Sequence, residues 1–162
     1  MSVSTKSVTD RRELKFESLD EILADAERLA AAENVKLLGN WSLGQIFKHL
    51  AIALDSSIDG VPFKASWFMR RMAGMMKNKF LNKSMPAGFK MNAKMASHFA
   101  PRDSLTTDEG IDALRTSVKR MQEETHREPH VVFGKMTDEQ WIKLHLRHAE
   151  LHLSFALIEE LG

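Results

Sequence analysis

Cysteine and tyrosine are both absent from this chain of 162 residues. Without cysteine there can be no disulfide framework, no thiolate zinc finger, no iron–sulfur cluster and no cysteine nucleophile. Without tyrosine, acid–base chemistry falls to histidine, aspartate, glutamate, lysine or water activated by a metal ion. A chain of this length buries roughly 70% of the surface that its unfolded form exposes, so a single domain over residues 1–162 needs neither a disulfide nor a structural metal to fold.

Long apolar runs are absent as well. Stretches such as LAIAL fall far short of the roughly 20 residues that a membrane-spanning helix needs. The first ten residues, MSVSTKSVTD, contain no apolar core of the signal-peptide type. We therefore expect a soluble, cytoplasmic protein without a membrane span, in which residues 1–16 are flexible.

Acidic residues are absent from one long segment, residues 60–102. The whole chain has 23 Lys and Arg against 22 Asp and Glu, a net charge of +1. Outside the segment lie 14 of these cations and all 22 anions, a balance of −8. We call residues 60–102 the basic Met-rich segment, because it holds nine cations and seven of the ten methionines: Lys64, Arg70, Arg71, Lys77, Lys79, Lys83, Lys90, Lys94 and Arg102, with Met69, Met72, Met75, Met76, Met85, Met91 and Met95.

Four amphipathic helices are predicted from apolar residues spaced three and four apart and from capping patterns. Their predicted N-caps are Ser18, Ser42, Thr107 and Thr137. The second helix is predicted to reach about Ile58, and the apolar spacing of the fourth continues through Phe155 and Ile158. Residues 65–81 are predicted as a further helix inside the basic Met-rich segment. With no convincing alternating strand, the pattern indicates an all-α fold, a four-helix up-down bundle with an elaborated, partly helical connection between helices two and three.

Histidines recur on the last predicted helix. The sequence LHLRHAELHLSF places His145, His148 and His152 on one stripe. At 1.5 Å per residue, His148 and His152 are about 6 Å apart along the axis but His145 and His152 about 10.5 Å, so one ion can bind a neighbouring pair and not all three. His49, on or beside the core-facing side of helix two, is the candidate third ligand, and three imidazoles leave a coordination position open, as in catalytic zinc sites. The competing interpretation is a set of histidines at the edge of the core, bonded to polar neighbours.

Two motifs, NWSLGQIFKHL and WIKLHLRHAELH, together resemble the DinB-like (YfiT-like) superfamily of metal-binding four-helix bundles. Members of that superfamily typically bind a divalent ion through one histidine of the second helix and an H-x-x-x-H pair of a later helix. His49, His148 and His152 match those positions. The stretches MPAGFK and VVFGKMTDEQW resemble a branch known only as a domain of unknown function, and the likeness extends from Ser18 to Glu160.

The resemblance implies a divalent-metal-dependent enzyme acting on a small molecule. Characterised relatives include thiol S-transferases, an isomerase that uses glutathione or mycothiol, and candidate hydrolases, so S-transfer and hydrolysis are both expected reaction types. Zinc or nickel is the expected ion, although imidazole ligands alone do not name it. Because the chain has no cysteine, a reacting thiol would arrive with a cosubstrate. The resemblance to this superfamily also implies a homodimer.

Three polar residues lie near the candidate ligands. His145 could serve the pocket as a hydrogen-bond donor or proton shuttle, or cap the bundle end as a buried neutral imidazole. Gln45 could orient a ligand or substrate, or serve only the S-x-x-Q cap of its helix. Glu150 lies well off the face of His148 and His152, so it is not nominated as a general base, and no catalytic residue is assigned.

The composition of the basic Met-rich segment is compatible with several functions. Arg70, Arg71 and Lys77 are candidates for attracting an anionic substrate. The same charges could bind nucleic acid or an anionic membrane surface, but the −8 remainder favours pairing within the protein and substrate attraction over nucleic acid. Flexible methionines with aromatic neighbours also suit a lid or a dimer contact. The alternative function is therefore a non-catalytic helical module that binds or assembles through this segment.

Overall fold

The computed structural model describes residues 3–88 and 93–159, and it is predominantly helical, as predicted. Phe89, Lys90 and Met91 of the basic Met-rich segment lie outside the described residues. Among those residues, no helix is long and apolar enough to cross a membrane. The elements follow in chain order: α1 (Leu19–Ala31), β1 (Val35–Leu37), α2 (Leu43–Asp59), α3 (Trp67–Asn82), α4 (Ala93–Phe99), α5 (Thr107–Glu123), α6 (Asp138–Leu153) and β2 (Ala156–Ile158).

Side-chain caps begin the long helices. Ser18, Ser42 and Thr137 cap α1, α2 and α6, as their sequence patterns predict. The predicted cap of α5 was one residue too late, because Thr106, not Thr107, accepts the hydrogen bond from the backbone N–H of Glu109. The Glu109 carboxylate accepts one in return from the N–H of Thr106, which completes a capping box that Thr107 could not form at this spacing.

The chain leaves the helical path after Leu153, which the sequence did not predict. The apolar spacing through Phe155 and Ile158 indicated a continuing helix, but β2 pairs antiparallel with β1, with Val35 opposite Ile158. The pairing extends to Leu38, whose N–H donates to the Phe155 carbonyl. Strands of three residues are too short to show the alternation by which a strand is recognised in a sequence.

One hydrophobic core is shared by α1, α2, α5 and α6. The helices α2 and α5 pack most intimately, and their backbones meet where Gly44 of α2 lies against Gly110 of α5. The largest fully buried side chains come from all four helices: Phe47, Ile22, Leu29, Leu114, Leu153 and Val118. This packing fixes α2 and α6, the two helices that carry the candidate metal ligands, against one core.

The segment before α1 packs on α6. Arg12 forms a two-pronged ion pair with Asp25, at 2.8 and 2.7 Å, and also donates to the Leu153 carbonyl. The backbone N–H of Phe16 donates to the buried carboxylate of Glu150 at 2.7 Å, and that carboxylate pairs with Arg147. Glu150 is thus occupied in holding the N-terminal segment and lies apart from the histidine face, in agreement with the sequence analysis.

The helix α3, predicted at 65–81, is present, whereas the short α4 was not predicted. The helix α3 packs beside α6 and α4 beside α2. Leu81 is the buried side chain of α3, while its methionines and aromatic residues are largely exposed. Within the described part of the basic Met-rich segment, no Lys or Arg forms an ion pair, so the pairing within the protein that the charge balance favoured is not found there.

Candidate metal centre

His49 of α2 and His148 and His152 of α6 come together at the face between the two helices. Each offers one ring nitrogen, and these three atoms lie within 4.8 Å of one another. The Nε2 atoms of His49 and His148 are 3.0 Å apart. That separation is close to the roughly 3.3 Å between two imidazole nitrogens around a tetrahedral zinc ion with bonds of about 2.0–2.1 Å. The i, i+4 spacing on α6 and the position of His49 on α2 therefore produce a convergent set of three donors.

The tautomer of His49 is set by a backbone carbonyl. Its Nδ1 lies 2.8 Å from the carbonyl oxygen of Phe99, at the end of α4. A carbonyl only accepts hydrogen bonds, so Nδ1 carries the proton and Nε2 presents a lone pair to the cluster. Metal-binding histidines commonly donate their second ring N–H to such an acceptor, which orients the ring. Phe99 was not among the sequence candidates because this contact involves only its backbone.

All three imidazoles are held in the neutral form. Burial lowers the pKa of His49 below its usual value of 6.5, and the Phe99 carbonyl only partly opposes this. The pKa of His148 is lowered by burial and then by the neighbouring His152 and His49, and the pKa of His152 by burial and then by His49. Neutral imidazole is the form that binds metals, so at neutral pH these residues need lose no proton to do so.

Trp41 contacts two of the rings, and it was not predicted as a site residue. Its indole stacks on His152, with ring centres 5.4 Å apart and planes at 18°, and lies 4.7 Å from the His49 ring. The signal for it in the sequence is its place directly before Ser42, the cap of α2, which holds it beside the first turn of the helix.

The three histidines line a cavity of about 550 Å³. Its walls come from α2, α6, the loop before α6 and the basic Met-rich segment. Among the described residues, no Asp, Glu, Lys or Arg lines it. The apolar and aromatic lining side chains include Trp41, Phe80, Met85, Phe99, Phe133 and Trp141.

The other sequence candidates have different places. His145 lines the cavity and stacks on Trp141, with ring centres 5.6 Å apart, but its Nε2 is buried without a hydrogen-bond partner. Burial lowers the pKa of His145 to about 3, which fits the buried neutral imidazole of the sequence analysis. Gln45 completes the Ser42 capping box and donates to the Arg102 carbonyl, and it does not line the cavity.

The three cations proposed for an anionic substrate do not line the cavity. Arg71 is exposed, Arg70 lies beside Gly134, and the Lys77 ammonium donates to the Lys135 carbonyl at 3.4 Å. The basic Met-rich segment does cover the centre, but it does so with the apolar side chains of Phe80, Met85 and Phe99 and carries its described charges elsewhere.

His130, which was not a candidate from the sequence, also lines the cavity. Its Nδ1 accepts hydrogen bonds from the backbone N–H groups of Val132 and Phe133, at 3.1 and 3.0 Å. The ring stacks on Phe133 and meets Trp141 edge to face. Because these contacts arise within an irregular loop, no periodic pattern could reveal them.

A family model described as a protein of unknown function, DUF1569, matches residues 8–158 of the chain. No curated protein and no solved structure matches the chain.

Proposed function

The chain belongs to the DUF1569 family of proteins of unknown function, and from this premise we propose that it is a divalent-metal-dependent enzyme acting on a small molecule. His49, His148 and His152 would hold the ion, with zinc or nickel as the expected metal. The single observation that carries the proposal is the convergence of these three neutral imidazoles on one side of a cavity large enough for a small molecule. We also propose that α1, α2, α5 and α6 form a four-helix bundle of the DinB-like type.

The chemistry of the donor set supports this assignment. Three imidazoles suit zinc and nickel, and the Phe99 carbonyl orients the His49 lone pair toward the cluster. A bound divalent ion would supply Lewis acidity at the cavity wall. Trp41 stacks on the His152 ring and contacts the His49 ring, which supports the position of both.

The lining favours transfer over hydrolysis. Hydrolysis commonly uses a general base, and among the described lining residues there is no carboxylate. His130 and His145 are the lining histidines outside the triad, and burial lowers the pKa of both. A thiol supplied by a cosubstrate is a better nucleophile than water and needs less activation, so S-transfer is the reaction type we propose first.

Metal analysis tests the proposal directly. Protein purified without a His tag, supplied with Zn²⁺ or Ni²⁺ and desalted, should retain about one ion per chain by mass spectrometry, because three preformed donors bind tightly. The double variant His148→Ala plus His152→Ala should retain less than about 0.2 ion, since one imidazole is left. His126→Ala is the matched control, because His126 is exposed and pairs with Glu128. A parent protein that retains no ion, or a double variant that retains as much as the parent, contradicts the proposal.

A second candidate function rests on the outer face of α3. Phe68, Met72, Met75 and Met76 are spaced i, i+4, i+7 and i+8, and all four are exposed, with 71% of Met75 accessible. Side chains at this spacing share one helix face, and an uncovered apolar face of this kind marks a contact surface. The occupant we propose is a second copy of the chain, whose acidic remainder complements the unpaired cations of the segment.

Loss of self-association in a double variant of α3 would test this assembly. The parent should elute as a species of twice 18.4 kDa by light scattering. Phe68→Ser plus Met75→Ser should shift it to the single-chain mass, because two of the four apolar side chains of this face are removed. Val3→Ser, which changes an exposed apolar residue away from α3, is the control and should leave the mass unchanged. A parent that stays monomeric up to about 0.1 mM, a concentration at which even a Kd of about 10 µM gives mostly dimer, would refute it.

A further inference from the structure

The wall of the cavity is poor in groups that could balance a charge. The described lining residues are apolar and aromatic side chains, the histidines and a few small polar groups. Two of the polar groups already have partners, since Ser56 donates to the Ile52 carbonyl and Asn40 bonds to the backbone of Val3. Burying a carboxylate or phosphate against such a wall without a counter-charge is strongly unfavourable.

The histidines do not change this balance. Burial lowers the pKa of His130 to about 4 and that of His145 to about 3, so both are neutral near pH 7. The cations of the described part of the basic Met-rich segment lie outside the lining. Away from the three-histidine cluster, the described wall therefore offers an anion no counter-charge, even though nine cations belong to the segment that covers the cavity.

His130 gives the wall one oriented polar group. Both backbone N–H groups that reach Nδ1 are donors, so Nδ1 is the acceptor and the ring proton is on Nε2. No described residue accepts a hydrogen bond from that Nε2. Stacking on Phe133 and the edge contact with Trp141 keep the ring in place. His130 thus contributes a neutral N–H donor on a fixed ring to the cavity lining.

We infer that the cavity binds an uncharged, largely apolar molecule, with an aromatic or alicyclic body, whose polar end is a hydrogen-bond acceptor such as a carbonyl oxygen held by His130. This ligand is the substrate of the proposed metal centre, so the inference rests on the proposed function. It replaces the anionic substrate suggested by the charge of the segment. The volume of about 550 Å³ lies within the range of pockets that bind small molecules.

Three naphthalenes of nearly equal shape separate charge from hydrogen bonding. They are 2-acetylnaphthalene, 2-isopropylnaphthalene and 2-naphthoate, which present a ketone, an apolar isostere and a carboxylate at the same position. Binding to the full chain in EDTA is measured by equilibrium dialysis at pH 7.5, so the result does not depend on metal. We expect saturable binding of one ketone per chain, roughly fivefold weaker binding of the isopropyl compound, and at least about tenfold weaker binding of the carboxylate.

Variants identify the site and the donor. Ala53→Phe and Ala87→Trp each fill the cavity from a different wall and should weaken ketone binding at least about tenfold, because a filled cavity cannot accept the ring system. His126→Ala, at an exposed residue outside the lining, should leave it unchanged. His130→Asn keeps an acceptor near Nδ1 for the loop but removes the Nε2 donor, so the preference for ketone over isopropyl compound should disappear.

The inference is overturned if the carboxylate binds as tightly as the ketone, if none of the three probes binds saturably below about 1 mM, or if both cavity-filling variants bind the ketone as the parent does. A ketone preference that survives in His130→Asn removes His130 from the assignment. Because metal is excluded throughout, each of these results is distinct from failure of the three histidines to hold an ion.

Discussion

Gly110→Ala is expected to lower the free energy of unfolding by about 3 kcal/mol or more. A Cβ on Gly110 would overlap the carbonyl oxygen of Gly44 and lie 2.7 Å from its Cα, and a Cβ on Gly44 would overlap the carbonyl of Thr106. Both obstacles are backbone atoms, one in α2 and one in the N-cap of α5, so no side-chain rotation can relieve them. The helices α2 and α5 would have to move apart, which opens the core that they share.

Gly74→Ala is the matched control for this prediction. Gly74 also lies inside a helix, α3, but nothing is within 4 Å of a Cβ placed there. Removing its backbone freedom should therefore raise stability by about 0.5–1 kcal/mol, the ordinary advantage of alanine in a helix. Urea unfolding followed by circular dichroism measures both changes. If Gly110→Ala unfolds within about 0.5 kcal/mol of the parent, within the usual range for a neutral substitution, the close crossing of α2 and α5 is refuted.

The helices were predictable because their signals are local. Ser42 with Gln45 and Thr137 with Gln140 form the capping boxes that their spacing predicts. The strands β1 and β2 were not predictable, since three residues carry no usable period and their pairing joins Val35 to Ile158 across most of the chain. The helix α6 ends at Leu153 and the residues that follow pair with β1, a tertiary contact that the local sequence pattern does not reveal.

Helix geometry left two neighbouring histidine pairs of the last helix open, and the family resemblance selected the pair to which His49 was added. The residues that support these candidate ligands could not be predicted. The i, i+4 rule places His148 beside His152, and the core-facing side of α2 contains His49. Three supporting groups lie in a loop, at a helix end and in a turn: Trp41, the Phe99 carbonyl and His130. Their positions depend on the course of the whole chain, so no local periodicity could predict them. The positive charge of the basic Met-rich segment was evident from the sequence, but the side on which its charged groups lie was not. The segment covers the cavity, but its described cations do not line it.

Acidification from pH 7.5 to 5 is expected to cost the metal-free protein about 4 kcal/mol of stability through His130 and His145 alone. Burial lowers the pKa of His130 to about 4 and that of His145 to about 3, from 6.5 in the unfolded chain. Between the folded and unfolded values the unfolded chain binds more protons, so stability is full above about pH 6.5 and falls as the pH drops below it. At pH 5 each group contributes about 2 kcal/mol to this loss, and the lowered pKa values of the triad act in the same direction.

His145→Phe separates this effect from general acid destabilisation. The variant removes one titrating group and its buried, unpartnered Nε2 while keeping a ring that can stack on Trp141. Replacing an unsatisfied buried polar atom by carbon is nearly neutral or stabilising near neutral pH. In EDTA, urea midpoints should therefore show the variant about 2 kcal/mol more stable than the parent at pH 5 and similar to it at pH 7.5. A parallel loss in both proteins would mean that His145 takes up its proton in the folded state, which would contradict a buried neutral imidazole beside the candidate metal centre.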